Sequence, residues 1–254
     1  MKNLALFFFA SLPLSVANSS TKIESPHCPI GCPEIQIDGN TMIFERLYAL
    51  SQNPTTKFAD WVAYEVDVQN FGTHTNRDWK NQPLLSEDET LEEKDYKNAY
   101  KQLKTDRGHQ VPLASFTGNK YWYTLNYLSN ITPQSSALNQ NAWQELESKV
   151  REKAEFRDSL YVISGPIYSE DAMVLPAADE PHKIPSAYYK IIYKPNKNLS
   201  KGEAAVFIMP QDIDKNADFC NTLTDLKTLQ PLLAYSLPQS LTDSTKMATR
   251  LDCN

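Results

Sequence analysis

The apolar residues of this chain fall into two rhythms. Residues 61–68, WVAYEVDV, alternate and are rich in β-branched and aromatic side chains, the pattern of a strand. Three later runs, LYVISGPIY (160–168), AYYKIIYK (187–194) and AAVFIMP (204–210), are each rich in Val, Ile, Tyr or Phe and bounded by turn residues, so each predicts a strand. Residues 41–50, TMIFERLYAL, mix apolar and polar positions and predict entry into another. The rhythm changes at residues 138–156. There Leu138, Ala142, Leu146 and Val150 recur every fourth residue with no Pro or Gly between them, which predicts one amphipathic helix. A short helix is predicted near 221–229, followed by an irregular tail. Strands and helices are interspersed without regular βαβ alternation, so the fold class is α+β, an antiparallel or mixed sheet with helices packed on it. No repeat, low-complexity linker or composition break divides residues 18–254, which are read as one domain.

The first residues, MKNLALFFFASLPLSVANSS, follow a different logic. Lys2 is a positive start, an apolar stretch broken by Pro13 follows, and Ser15-Val16-Ala17 is a small-x-small cleavage site. This reads as a signal peptide over residues 1–17, too short to span a bilayer. It implies a secreted or periplasmic protein with no membrane partner. Export makes sense of the cysteines, since an even number in an exported chain predicts disulfides. Cys28, Cys32, Cys220 and Cys253 allow three pairings, and sequence order does not choose among them. The local pairs Cys28–Cys32 and Cys220–Cys253 are the simplest, and in the chain-entropy model the second closes a loop worth about 3–4 kcal/mol. A zinc site is disfavoured, because His27 is the only histidine near a cysteine.

Composition narrows the chemistry. A net charge of −6 and a pI near 5.3 argue against a nucleic-acid coat protein with a basic surface, but allow an enzyme that gathers a few arginines in one cleft. The acid run Glu87, Asp88, Glu89, Glu92, Glu93 and Asp95 lacks an Asp-x-Asp-x-Asp-Gly loop and reads as a solvated face rather than a calcium site. Seven glycines supply no dinucleotide fingerprint and no phosphate-binding loop, and neither a Gly-x-Ser-x-Gly elbow nor a His-Glu-x-x-His helix is present. Of four histidines, His27 lies outside any element, His74 falls in a polar loop, and His182 precedes a strand with no carboxylate or metal pattern around it. His109 remains, in TDRGHQVPLASF. If that segment is extended, Arg107 and His109 share a face. A guanidinium fork suits a phosphate, a neutral imidazole accepts a proton from water, and Gly108 permits close approach. On this ground alone the pair is suggestive only, and the simpler reading is a surface pair.

Two longer stretches change that balance. DRGHQVPLASF together with LNYLSNITPQSSALNQNAWQELE resembles the DNA/RNA non-specific endonucleases of the Serratia nuclease type, which include endonuclease G. The resemblance extends through TTKFADWVAYEV, NRDWK, SGPIY, IPSAYYK and ADFC, most of the chain. It implies a ββα-metal (His-Me finger) active site in a central antiparallel sheet with helices on both sides. It implies cleavage of DNA and RNA to 5′-phosphate ends. His109 then stands at the general base, and Asn139 at the single protein ligand of a catalytic Mg2+, with Mn2+ as a substitute. Arg77 stands at the arginine that holds the phosphate, and Arg107 and Asn130 at residues lining the cleft, Asn130 supporting base and substrate. Glu147 matches the carboxylate that orders the metal's waters, and Arg151 an arginine that assists phosphate binding. Members of the family occur as homodimers, and no interface is legible here.

On one continuous helix, Asn139, Glu147 and Arg151 would lie about 80° and then about 40° apart, within one broad face. Without the resemblance, Glu147 and Arg151 read as an i,i+4 surface ion pair and Asn139 as a helix cap. Trp143 and Leu146 read as core, and Asp106 as a structural hydrogen-bonding residue. An imidazole base of ordinary pKa predicts activity falling as pH drops through about 6–7.

Overall fold

Alternation along the long strands sends apolar side chains to both faces of a large sheet, so the sheet must be a middle layer. The computed structural model describes residues 23–73, 76–170 and 173–253. The signal peptide expected at 1–17, and His74, lie outside them. The elements in chain order are β1 (Thr41–Phe44), β2 (Ala49–Gln52), β3 (Ala59–Val66), α1 (Ala99–Leu103), β4 (Thr105–His109), β5 (Ile131–Ser135), α2 (Ser136–Asn139), α3 (Ala142–Lys153), β6 (Leu160–Ile167), β7 (Ala187–Pro195), β8 (Gly202–Pro210), β9 (Leu223–Thr224), α4 (Leu226–Leu229), β10 (Leu241–Asp243) and α5 (Thr245–Arg250). The large sheet runs β1-β2-β3-β6-β7-β8-β10, with β9 also paired to β8. Its pairs are antiparallel except β10 on β8. The segment expected to enter one strand at 41–50 is a hairpin, closed where Glu45 N–H donates to the Tyr48 carbonyl. The tail expected to be irregular supplies β10 and α5.

The two faces carry separate cores. Tyr188 and Ile192 of β7, Val62 and Tyr64 of β3 and Phe207 of β8 point to one face, where Trp143, Leu146 and Val150 of α3 and Met247 and Ala248 of α5 cover them. Tyr189, Ile191 and Tyr193 of β7, with Trp61 and Val206, point to the other, under Ile30, Leu229 of α4, Tyr235 and Leu237. An antiparallel sheet often leaves one face to water; here both are covered, so the inner strands read as nearly continuous apolar runs. Each large side chain that α3 buries contributes about 1.5–3 kcal/mol, so packing rather than propensity fixes this helix. The cysteines adopt the local pairing: Cys28–Cys32 and Cys220–Cys253, with Cα atoms 4.9 and 5.2 Å apart. Among the described residues no helix is long and apolar enough to cross a membrane.

A second, two-stranded sheet carries the residues of interest. β4 and β5 pair antiparallel from Thr105 opposite Ser135 to His109 opposite Ile131. β5 leads directly into α2 and α3, completing a strand–strand–helix unit. The Tyr188 hydroxyl fastens it to the large sheet by donating to the Pro133 carbonyl (2.7 Å) while accepting from Thr132 Oγ1 (2.8 Å). Gln211 adds bonds to Ser135 N–H and the Pro133 carbonyl, each 2.7 Å. Gly108 is required here for a reason sequence did not show: a Cβ would collide with the Gln134 side chain arriving from β5.

Candidate active-site cleft

A cleft of about 540 Å³ opens where β4, α2 and α3 meet, lined among others by Arg77, Trp79, Tyr96, Asp106, Arg107, His109, Asn139, Gln140, Glu147 and Arg151. Six of the seven residues expected at the site are therefore brought together. Because β4 is extended, Arg107 and His109 do share a face.

The His109 ring is oriented from behind. Its Nε2 lies 3.1 Å from Asn126 Oδ1, and Asn126 Nδ2 donates to the Asn76 carbonyl at 3.1 Å. That second bond fixes the amide, so an acceptor faces the imidazole. Nε2 then carries the proton, and Nδ1 keeps a free lone pair. Burial pushes the imidazole pKa down to about 4; the Asn126 bond opposes the shift, and the Arg77 charge adds to it. Trp79 flanks the ring, with centroids 5.4 Å apart.

The arginines differ in their freedom. Arg77 is exposed at the rim. Arg107 is held between the rings of Trp79 and Tyr96, 5.6 and 5.4 Å from their centroids, and donates through Nη2 to the Glu93 carbonyl at 3.2 Å. Arg151 donates to Ser148 Oγ at 2.8 Å, while its Nη1 is buried without a protein partner.

Two carboxylates anchor the far wall. Asp106 accepts from Ser136 Oγ (2.8 Å), Asn139 Nδ2 (3.0 Å) and Gln140 Nε2 (2.9 Å). Its expected structural role is thus specific: it takes up the amide nitrogen of Asn139 and leaves Oδ1 as that side chain's free acceptor. Glu147 does not pair with Arg151. It accepts from Lys190 Nζ at 3.0 Å, and this lysine is only 1% exposed and sits 3.9 Å from the centroid of the Trp143 ring. Burial pushes the Lys190 pKa down from its ordinary value, and the Glu147 carboxylate opposes that.

Two expectations need correction. The helix expected over 138–156 is interrupted: α2 ends at Asn139 and α3 begins at Ala142, with Asn141 at φ −129°, ψ −106° between them. Asn139 therefore sits at the end of a short helix, and no single-helix angle relates it to Glu147. Asn130 does not line the cleft. It is fully buried, with Oδ1 accepting from Val111 N–H (2.9 Å) and Nδ2 donating to the Val111 (3.1 Å) and Leu125 (2.9 Å) carbonyls. It ties the chain after β4 to the turn that carries Asn126. Asn126 is the residue sequence reasoning missed. Its signal in the sequence is its place in LNYLSN, four residues before Asn130.

The model of the DNA/RNA non-specific endonuclease family matches residues 28–241. The chain belongs to that family. A nuclease of Serratia marcescens is 39% identical over 251 residues, 96% of this chain and 94% of the relative. Bovine mitochondrial endonuclease G is 29% identical over 125 residues, 48% of this chain and 40% of its own. A solved structure of an EndoG/EndoGI complex shares the fold, with a TM-score of 0.66 at 20% identity over 80% of this chain and 89% of the other. The protein is thus a DNA/RNA endonuclease. A hard divalent cation fits the donor set. Asn139 Oδ1 is a neutral oxygen left free where Asp106 takes up the amide nitrogen, and Glu147 adds a carboxylate to the lining of the same cleft.

Proposed function

We propose that this endonuclease is an exported, magnesium-dependent enzyme whose domain at 18–254 hydrolyses phosphodiester bonds of DNA and RNA to 5′-phosphate ends, with His109 as general base. The observation that carries the reading is the Asn76–Asn126–His109 chain, which holds a neutral imidazole on the lining of the cleft with its other nitrogen, Nδ1, unprotonated. That nitrogen takes a proton from water as the water attacks phosphorus in line with the leaving 3′-oxygen. Arg77, free at the rim, and Arg151, with an unused N–H, meet the phosphate's oxygens. Arg107, held by Glu93 and two rings, keeps its charge against the substrate path. Asn139 would hold the magnesium through Oδ1, with Glu147 ordering its waters, and when bound it neutralises charge on the phosphate and the leaving oxygen. Phosphate contacts carry no sequence information, which fits low sequence preference. Export is supported by the two disulfides.

The test is plasmid nicking and RNA cleavage by purified protein with magnesium, with manganese in its place, and with EDTA, followed by end-group analysis. Cleavage of both polymers with either metal, 5′-phosphate ends and silence in EDTA are expected. Undiminished cleavage in EDTA or 5′-hydroxyl ends would overturn the reading.

A further inference from the structure

The acid run at 87–95 reads as a solvated face, yet Asp95 is 0% exposed. Its Oδ2 accepts from Glu92 N–H at 2.6 Å, capping the turn at Glu93–Tyr96, and its Oδ1 is buried without a hydrogen-bond partner. Glu180 Oε2 is also buried without a hydrogen-bond donor, and Glu92 Oε2, on the same cluster, meets the Lys94 ammonium at 3.1 Å. One oxygen from each of Glu92, Asp95, Asp179 and Glu180 lies within 4.8 Å of all the others. The second pair comes from far along the chain. His182 sets their loop, accepting from Leu175 N–H at 2.7 Å and donating through Nδ1 to the Glu180 carbonyl at 2.8 Å.

We propose that Glu92, Asp95, Asp179 and Glu180 form a calcium site, separate from the cleft, that clips the turn at 93–96 to the loop at 175–184. A buried carboxylate oxygen with no donor is costly, and a hard cation satisfies several at once. The donor set selects the ion. Calcium takes several protein oxygens, carboxylates among them, whereas magnesium keeps most of its waters and uses one or two carboxylates. Lys94 is the local competitor. Its ammonium reaches Glu92 Oε2 at 3.1 Å and Asp179 Oδ2 at 3.3 Å, but its side chain is 60% exposed and does not serve Asp95 Oδ1 or Glu180 Oε2. The clipped turn matters because it carries the Glu93 carbonyl and the Tyr96 ring that hold Arg107.

The test uses chelator-treated protein carrying Asn139→Ala, which removes the proposed cleft ligand, so that its outcome does not depend on the catalytic reading. Calorimetric titration with calcium chloride should show one saturable site with Kd on the order of 10⁻⁴ M, and magnesium should bind at least about tenfold more weakly. Calcium about 100-fold above Kd should raise Tm by roughly 5–10 °C. Adding Asp179→Asn and Glu180→Gln, changes confined to a partly exposed loop, should abolish both effects. No saturable calcium binding, equal binding of magnesium, or unchanged binding in the loop variant would each overturn the proposal.

Discussion

Two groups of carboxylates border the wall that holds Arg107, and they use their oxygens differently. In the cleft, Asp106 accepts three protein donors and Glu147 accepts a buried lysine, so both acids are engaged in placing other protein groups. In the outer group, Asp95 and Glu180 keep buried oxygens without hydrogen-bond donors, while Glu92 and Asp179 meet an exposed lysine. A carboxylate that positions a side chain is already paired in the free protein. One that awaits an ion is left open, because the ion itself completes it. This separates the cleft, whose acids orient the chemistry, from the outer site, whose acids would hold the wall.

The largest effect should separate chemistry from scaffold. His109→Ala is expected to lower turnover by about 10²–10⁴-fold, the usual share of a general base, with Tm near wild type. A folded variant with near-normal kcat would remove the base from the cleft and with it the contrast between the two regions. The lysines sharpen the contrast next. Lys190→Met leaves the Glu147 carboxylate at the cleft wall without its buried partner and should destabilise by about 1–3 kcal/mol, while Lys190→Arg retains most of the stability. Lys94→Met, which removes an ammonium that is mostly in solvent, should leave the unfolding midpoint closer to wild type than Lys190→Met does. Similar losses at both lysines in thermal melts would show that the two acid groups are not differently paired.

A smaller effect is expected at Asp106. Asp106→Ala frees the Asn139 amide to rotate and should weaken magnesium affinity by about 10–100-fold, read as a raised magnesium requirement with turnover recovered at saturation. An unchanged metal titration would mean that Asn139 is oriented by something else.

What the sequence made legible follows from what each segment is selected to do. The strands at 59–66, 160–167, 187–195 and 202–210 announce themselves because both faces are buried and the residues are β-branched or aromatic. β4, TDRGH, carries site groups instead of apolar ones and is extended only conditionally from its sequence, and β5, ITPQS, has one large apolar residue, Ile131, too few for a strand pattern. The break between α2 and α3 left no trace in the hydrophobic spacing, because Leu138 and Ala142 enter the same core on either side of it. Asn126 and Asn130 are chemically identical and four residues apart. Only the turn geometry sends one to His109 and buries the other against Val111. Asp95 looked solvated because its neighbours Asp179 and Glu180 arrive from a loop more than 80 residues away.

The finest test is the acid limb of activity. Sequence alone predicts a fall through about pH 6–7, but the surroundings of His109 push its imidazole down to about 4. Three causes act: desolvation lowers the pKa most, the Asn126 bond raises it, and the Arg77 guanidinium lowers it further. The base is neutral above the folded pKa, so kcat/KM should hold down to about pH 5 and fall as pH passes through about 4. The same group contributes stability that is fully present above the unfolded value of about 6.5 and is lost as pH falls toward the folded one, since the unfolded chain binds the proton more readily. Arg77→Gln removes one lowering charge and should move the limb upward by a fraction of a pH unit, beside a separate loss of phosphate binding seen in KM. A limb at pH 6–7 in the wild-type kcat/KM profile would mean that the imidazole is far better solvated than the Trp79–Asn126 surroundings imply. An upward shift on Arg77→Gln confined to KM, with no movement of the limb, would place that arginine on the substrate alone.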